Sequence, residues 1–298
     1  MDKMTSLQGI IPATITPFRD DETINEEALV SLLERNLSQG AKGFFVGGSS
    51  AECFVMTEEE RIRLFEIASD FRDRALLIAH AGAMGTGEAE RYAKEAARLG
   101  FDIIAATPPF YYRHGSKELY EYYQAIAEAS GKPVLVYNFP GNTGVEFNLN
   151  DPYIQKLFCS DFILGVKHTN QIIFQMEQIK ALNPNLIMMN GYDETFVAGL
   201  ALGAEGAIGS SFNFTFPHFQ RMYECFLEGD TKEALSLQIR ANRIMEALYQ
   251  AGLIPAVKYV LSTMGIDAGR ARRPFKELTS EDKEMLDQVI KENLFIPE

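Results

Sequence analysis

Lys167 ends an apolar run, residues 162–167, whose composition is that of a buried strand. Removing an ammonium group from water is costly unless the group is paired or neutral, so burial without a partner lowers the pKa of a lysine toward the free amine. A free amine at the mouth of a pocket is the nucleophile that Schiff-base chemistry on a carbonyl requires. The alternative is a lysine at a strand end that extends to solvent or pairs with a carboxylate.

Polar side chains also follow several other apolar runs. Ser49 and Ser50 close a Gly-Gly-Ser-Ser segment, which is either an ordinary turn or a nest of backbone N–H groups and hydroxyls that accepts a small carboxylate. Taken alone, Tyr137 is simply a packed aromatic with a satisfied hydroxyl. Asp193 and Glu194 have an equally simple interpretation as carboxylates that favour the N-terminal end of a helix.

The elements that must position these side chains alternate between short apolar strands and amphipathic helices. The predicted strands cover residues 9–16, 42–46, 75–79, 102–106, 133–137, 162–167, 186–190 and 207–210. Such alternation indicates an α/β fold with a parallel sheet, and eight units without a glycine-rich dinucleotide turn favour a TIM (β/α)8 barrel. The predicted barrel spans residues 1–228, and a C-terminal helical extension, residues 229–298, is expected to pack on it.

In barrels of this kind the active site lies at the carboxyl ends of the strands. The polar residues and the glycine at those ends are Ser49, Ser50, Tyr137, Lys167, Gly191, Asp193, Glu194, Ser210 and Ser211. This convergence favours the chemical interpretation of Lys167 over the structural one.

Composition argues against several classes of function. Twenty-eight basic and 41 acidic residues give a net charge of −13, which argues against nucleic acid and anionic membranes as partners. No apolar run approaches the roughly 18 residues of a membrane span, and residues 1–9 do not resemble a secretory signal. Three cysteines without C-x-x-C spacing indicate reduced thiols of a cytoplasmic protein. Four scattered histidines predict no metal site.

Three motifs resemble those of the lysine-dependent pyruvate aldolases, the family that contains N-acetylneuraminate lyase and dihydrodipicolinate synthase. They are Gly47-Gly48-Ser49-Ser50-x-Glu52, Tyr137-Asn138-x-Pro140 and Gly165-Val166-Lys167-x-Thr169. The resemblance covers nearly the whole chain in the same order, and residues 175–179, 190–194 and 206–210 look most like the sialic acid lyases. The synthase branch has an arginine where this chain has Asn142, and asparagine cannot supply a charged bidentate fork.

The resemblance implies that Lys167 forms a Schiff base with the ketone of a 2-oxo acid, and that N-acetylneuraminate is cleaved reversibly to pyruvate and N-acetylmannosamine. Ser49 and Ser50 would hold the carboxylate. Tyr137 would transfer the proton of the C4 oxygen, and Tyr111 from a neighbouring subunit would complete that relay. The polyol chain of the sugar would be bound by Thr169, Gly191, Asp193, Glu194 and Ser210. The resemblance implies a homotetramer and no metal or organic cofactor.

Two positions depart from the family pattern. Ala51 stands where the family has glycine, and its Cβ is expected to alter the loop backbone. Ile254 stands where the lyases have an aromatic residue near the distal part of the substrate. Beside the lyase hypothesis stand two alternatives, a related pyruvate-dependent aldolase or synthase, and a non-catalytic barrel that binds a sugar acid.

Overall fold

The computed structural model describes residues 7–296, and a parallel eight-stranded sheet lies at its centre. The strands follow one another around the sheet in the order β1-β8-β7-β6-β5-β4-β3-β2. They are β1 (Gly9–Pro12), β2 (Gly43–Val46), β3 (Leu76–His80), β4 (Ile103–Ala106), β5 (Val134–Asn138), β6 (Ile163–His168), β7 (Ile187–Asn190) and β8 (Gly206–Gly209). The predicted (β/α)8 barrel is confirmed. Nearly every strand residue is buried, as expected where helices cover the outside and side chains fill the centre.

The barrel closes between β1 and β2 through a change of partner in the first strand. Residues 9–12 pair with β8, whereas Ala13 pairs with Phe45 of β2. The Ala13 N–H still donates to Gly209 O at 2.9 Å, whereas the Thr14 N–H donates to Phe45 O of β2 at 2.9 Å. The predicted first strand, residues 9–16, was therefore too long, because its second half forms the closing contact rather than a ladder.

Helices connect the strands and continue beyond the barrel. They are α1 (Glu26–Ser38), α2 (Glu58–Ser69), α3 (Thr86–Arg98), α4 (Ser116–Ser130), α5 (Pro140–Thr143), α6 (Pro152–Phe158), α7 (Gln175–Leu182), α8 (Phe196–Ala201), α9 (Phe212–Leu227), α10 (Thr231–Ala251), α11 (Leu253–Thr263) and α12 (Ser280–Asn293). Thr57 and Glu60 form a capping box at the start of α2. The short α5 was not predicted.

Helix α9 begins at Phe212 and has Pro217 inside it. A proline inside a helix cannot donate to the carbonyl four residues earlier, which is that of Asn213. Arg35 of α1 supplies the missing donor, because its Nη1 donates to Asn213 O at 3.0 Å. The tertiary contact therefore lets the helix begin earlier than local sequence signals indicate.

The C-terminal helices α10 to α12 pack on the barrel through one apolar cluster. Residues of α10 and α11, such as Leu248 and Val257, contact Ile15, Leu32 and Phe214 of the barrel. The packing brings the junction of α10 and α11 over the carboxyl ends of the strands. Among the described residues no helix is long and apolar enough to cross a membrane.

Candidate active site

Lys167 and Tyr137 occupy paired positions on neighbouring strands. In the parallel ladder of β5 and β6, Tyr137 is the register partner of Lys167, and Asn138 is the partner of His168. Because strand side chains alternate between faces, Tyr137 and Lys167 point to the same side while their neighbours point to the other. Tyr137 contributes to the central apolar cluster of the barrel, and both residues lie at the carboxyl end of the sheet.

The ammonium group of Lys167 lies among aromatic rings. The residue is 3% exposed, and its Nζ lies 4.3 Å from the ring centre of Phe45 and 4.0 Å from that of Tyr137. Burial lowers the pKa of Lys167 to about 7, although the negative charge of Asp193 acts in the opposite direction. The free amine of Lys167 is therefore well populated near neutral pH. Lys167 does not extend to solvent, so that form of the structural interpretation was wrong.

Tyr137 is held rigidly by three rings. Its ring stacks on Phe139 with centroids 5.6 Å apart and meets Phe45 and His80 edge to face. Burial raises the pKa of Tyr137, and interactions with the hydroxyls of Ser49 and Thr169 oppose that rise. The phenol is therefore protonated at neutral pH. It can donate a hydrogen bond or pass on a proton.

The Ser49-Ser50 segment forms a 3₁₀ turn, Ser49–Ala51, directly after β2 and Gly47-Gly48. Ser50 Oγ lies 2.5 Å from Ser210 Oγ, so the turn is joined by a hydroxyl pair to the end of β8. Ala51 is fully buried, and its carbonyl accepts from Thr16 Oγ1 at 2.9 Å. Among the non-glycine residues of this loop, the left-handed backbone falls at Glu52, with φ 63°, and not at Ala51. A Cβ at position 51 thus requires no unusual backbone.

Asp193 begins the turn after β7 and is buried. Its Oδ2 accepts from the Ser211 N–H at 3.0 Å and from Ser211 Oγ at 2.6 Å. Burial raises the pKa of Asp193 to about 6, while the two Ser211 donors and the charge of Lys167 lower it. In its ionised form the carboxylate provides a negative charge close enough to raise the pKa of Lys167.

Gly191 and Thr169 lie against each other at the ends of β7 and β6. A Cβ on Gly191 would overlap Thr169 Oγ1, so glycine is required for this approach. Thr169 is 4% exposed, and its hydroxyl lacks a hydrogen-bond partner of ordinary geometry among residues 7–296. A buried hydroxyl without a partner is costly unless a ligand or water completes it. Since Thr169 lines the cavity, its hydroxyl can bind a group of a ligand as well as act on the phenol of Tyr137.

A cavity of about 440 Å³ opens above these residues. This volume lies within the roughly 300–1,000 Å³ that is usual for small-molecule sites. The sequence-predicted site residues on its wall are Ser49, Ser50, Tyr137, Lys167, Thr169, Gly191, Asp193 and Ser210. Seven of the nine residues predicted at the strand ends therefore share one cavity.

Three predicted residues do not line this cavity, namely Ser211, Glu194 and Tyr111. The hydroxyl of Ser211 donates instead to Asp193. Glu194 points toward the C-terminal extension, where its Oε1 accepts from the hydroxyl of Tyr249 at 3.2 Å. Burial raises the pKa of Glu194, and its Oε2 has no hydrogen-bond partner within the described part of the chain. Tyr111 lies on the loop after β4, is 81% exposed, has a φ of 75° and packs edge to face against Tyr112.

The cavity wall also includes residues that were not predicted as site residues. Some of them belong to the C-terminal extension, among them Ile254, which was noted only as a departure from the family pattern. The further side chains on the wall include Phe139, Asn142, Tyr192, Tyr249, Ile254 and Lys276. Tyr192 could have been found from the turn in which it lies, between Gly191 and Asp193. Tyr249 and Lys276 could not have been found from the sequence. Helical periodicity does not show which end of α10, or which residue after α11, lies at the carboxyl ends of the strands.

Metal ligands are not grouped in the described residues. No set of three or more histidine, cysteine, aspartate or glutamate side chains between residues 7 and 296 could hold a metal ion. His80, whose ring meets that of Tyr137 edge to face, is fully buried, and its Nδ1 lies 3.2 Å from Gly47 O. Burial lowers the pKa of His80 well below its ordinary value, so the ring is neutral and packs beneath Tyr137.

Comparison with known proteins identifies the family to which this arrangement belongs. Residues 6–293 match the model of the dihydrodipicolinate synthetase family. The chain belongs to this family. Among curated relatives it is 38% identical over 285 residues to the N-acetylneuraminate lyase of Rhizobium meliloti (strain 1021), with 95% of this chain and 94% of the relative covered.

Solved structures lead to the same group. The chain superposes on CdNal from Clostridium difficile, solved in complex with mannosamine, with a TM-score of 0.92, 32% identity, and 96% and 99% of the two chains covered. For N-acetylneuraminate lyase from Fusobacterium nucleatum the TM-score is 0.90, with 32% identity and 97% and 100% coverage. The resemblance to the lysine-dependent pyruvate aldolases, and within them to the sialic acid lyases, is confirmed. The protein is a lyase of the aldolase type.

Proposed function

We propose that Lys167 forms a Schiff base with a 2-oxo acid and that the substrate is N-acetylneuraminate, which is cleaved reversibly to pyruvate and N-acetylmannosamine. The observation that carries the proposal is the burial of Lys167 at the base of the cavity, with a pKa of about 7. A lysine that is partly a free amine at neutral pH, next to a protonated phenol, has the properties of an aldolase nucleophile. No metal or organic cofactor is needed for this chemistry.

The proposed steps conserve atoms and electrons. The amine of Lys167 adds to C2 of the substrate, and loss of water with uptake of one proton leaves a protonated imine; the later hydrolysis releases that proton. The C4 hydroxyl then loses its proton, the C3–C4 bond breaks, and its electron pair moves into the imine to give an enamine and the aldehyde product. Protonation at C3 and addition of water release pyruvate and regenerate the amine.

Tyr137 is proposed to accept the C4 proton while it passes on its own phenolic proton. The hydroxyls of Ser49 and Thr169 interact with the phenolic hydroxyl of Tyr137, which supports such a relay. Tyr111 of the partner subunit is proposed as the next member. The support is the exposure of Tyr111 and Tyr112 on the loop after β4, where a second copy could cover them. A homotetramer is proposed with it.

The free thiols of Cys53, Cys159 and Cys225 are consistent with the cytoplasm, although Cys159 is exposed rather than packed.

Substrate contacts are proposed for the remaining residues. The turn of Ser49 and Ser50 presents hydroxyls and backbone N–H groups for the carboxylate of the 2-oxo acid. The polyol is assigned to Thr169, Gly191, Asp193, Glu194 and Ser210. Glu194 would act from the rim, through or beside Tyr249.

The second candidate, a dihydrodipicolinate synthase-like or other 2-keto acid aldolase, has less support. Asn142 lies on the cavity wall, at the position where the synthase branch has an arginine. An uncharged amide cannot form the bidentate pair with a second carboxylate. The cavity wall instead offers hydroxyl groups and one acidic side chain, which suit a polyol.

The test is trapping of the imine. Incubation with pyruvate and borohydride should attach a reduced pyruvate adduct to Lys167, as peptide mapping would identify, and incubation with N-acetylneuraminate should release pyruvate. Lys167→Met should abolish both, whereas Lys180→Met, at the opposite end of the barrel, should abolish neither. A wild-type enzyme that forms the adduct yet releases no pyruvate from N-acetylneuraminate would retain the aldolase assignment and refute the substrate. Absence of the adduct would refute the Schiff base and revive the non-catalytic sugar-acid-binding barrel.

A further inference from the structure

A buried ion pair connects the loop of the site to the C-terminal extension. Lys258 of α11 is 0% exposed and Glu52 is 3% exposed, and their Nζ and Oε1 lie 2.5 Å apart. The steps proposed above use neither residue. A charge pair this deep in the molecule has lost most of its hydration, so its net contribution to stability is small even though each charge depends strongly on the other.

Glu52 is the residue that ends the turn of Ser49 and Ser50. Its N–H donates to Ser49 O at 3.1 Å, and its φ of 63° places it in the left-handed region, which is unfavourable for a residue with a Cβ. Such a conformation persists only where the surroundings fix it. The backbone of this turn is thus held at Glu52.

The Glu52 carboxylate is fixed from two directions. While Oε1 faces Lys258, Oε2 accepts the Arg272 N–H at 2.7 Å. The carboxylate therefore has one charged and one backbone partner, and both belong to the extension. The turn after β2 is consequently anchored to residues more than two hundred positions away in sequence.

Lys258 is held in turn by its own neighbours. Its Nζ donates to Arg270 O at 2.9 Å and lies 4.2 Å from the ring centre of Phe18. Four and three residues earlier on the same helix, Ile254 and Pro255 line the cavity. One helix thus supplies both a wall of the site and the cation that fixes the carboxylate of its loop.

We propose that Glu52 and Lys258 are positioning residues, and that their pair holds the Ser49-Ser50 turn in the shape that binds the carboxylate of the 2-oxo acid. The inference rests on the proposed function, because it assigns that turn to the substrate carboxylate. It would give the extension a role in a site whose proposed reacting groups all come from the barrel. Neither residue contacts the reacting atoms.

The test measures the pyruvate concentration that gives half-maximal adduct formation on Lys167. Lys258→Met keeps the length of the side chain and leaves Glu52 as a buried charge without its cation. We expect this concentration to rise by about tenfold to a hundredfold, because a small misplacement of a binding group has effects of that order. The rate at saturating pyruvate should change much less. Glu52→Gln, a neutral side chain of the same shape, should raise the same concentration and provides the test if Lys258→Met does not fold.

Lys180→Met is the matched control. Lys180 forms an ion pair with Glu205 at the amino ends of β7 and β8, away from the site. Its loss should lower the melting temperature without changing the half-maximal concentration. A Lys258→Met variant that is less stable but binds pyruvate as the wild type does would overturn the proposal, since the pair would then only stabilise the fold.

A double-mutant cycle tests whether Lys258 acts through Glu52. In the Glu52→Gln background the further effect of Lys258→Met should fall below about threefold, because the two residues belong to one unit. An undiminished effect in that background would also overturn the proposal. A wild-type enzyme that traps no pyruvate at all would instead refute the proposed function, so the two failures are distinguishable.

Discussion

Lys167 Nζ lies 4.0 Å from the ring centre of Tyr137, its register partner on the neighbouring strand. The same burial acts on the two groups in opposite directions. It lowers the pKa of Lys167 to about 7 and raises the pKa of Tyr137 above its ordinary value. Since desolvation disfavours whichever form is charged, it favours a free amine and a neutral phenol at the same pH. The amine is the form needed for attack, and the phenol is the form needed to give a proton.

The first prediction concerns the pH dependence of adduct formation. Only the free amine adds to the carbonyl, so the initial rate of trapping with pyruvate and cyanoborohydride should rise with pH and level off above a midpoint near 7. One unit below that midpoint the rate should be about one-tenth of the plateau. Peptide mapping after timed trapping across the range would give the profile. A midpoint near that of an ordinary solvated lysine would show that water reaches Lys167.

The second prediction concerns the charge of Asp193. The ionised carboxylate raises the pKa of Lys167, so Asp193→Asn should move the midpoint of the trapping profile downward. The profiles of variant and wild type should converge below about pH 6, where Asp193 is itself protonated. Glu194→Gln is the control, because Glu194 does not act on the pKa of Lys167 and the midpoint should stay in place. An upward shift in Asp193→Asn would contradict the sign of the interaction.

The sequence sufficed to predict the barrel, the strand that carries Lys167 and most of the cavity wall. It did so because parallel strands bring their carboxyl ends to one edge, whatever the helices between them do. The contributions of Tyr249 and Lys276 were not predictable, since they depend on how α10 and α11 dock. The hydrogen bond from Arg35 to the carbonyl of Asn213, which lets α9 begin before Pro217, likewise joins residues far apart in sequence.

The third prediction separates imine formation from bond cleavage. Tyr137→Phe keeps the ring that stacks on Phe139 and removes only the hydroxyl. The adduct with pyruvate should still form on Lys167, whereas release of pyruvate from N-acetylneuraminate should fall by roughly 10²–10⁴-fold, the usual contribution of a general acid–base group. Single-turnover measurements of both steps provide the comparison. Equal losses in the two steps would mean that the hydroxyl acts on imine formation as well.

The fourth prediction concerns the hydroxyl pair of Ser50 and Ser210. Ser210→Ala removes the partner that lies 2.5 Å from Ser50 Oγ, so the carboxylate turn loses its link to β8. The half-maximal pyruvate concentration should rise roughly fivefold, corresponding to about 1 kcal/mol for one buried hydrogen bond. Ser38→Ala, on the exposed face of α1, removes a hydroxyl far from the site and should leave this concentration unchanged. If both variants behave as the wild type, the pair does not support the turn.

The fifth prediction concerns Gly165, two residues before Lys167 on the same face of β6. A Cβ there would overlap the backbone carbonyl of Ile187 on β7, and a strand carbonyl cannot rotate away as a side chain can. Gly165→Ala should therefore lower the free energy of unfolding by about 2 kcal/mol or more, the usual cost of overpacking. Denaturant unfolding measures the change.

Gly87→Ala is the control, because it adds the same methyl group at a position where space is available. Gly87 lies in the first turn of α3, where a Cβ would have the Nη1 of Arg91 as its nearest neighbour at 4.0 Å. Gly87→Ala should be neutral or stabilise the protein by up to about 1 kcal/mol, because alanine is the better helix former. A Gly165→Ala variant as stable as Gly87→Ala would mean that β6 and β7 can separate. In that case the register that places Lys167 beside Tyr137 would be less rigid than the packing indicates.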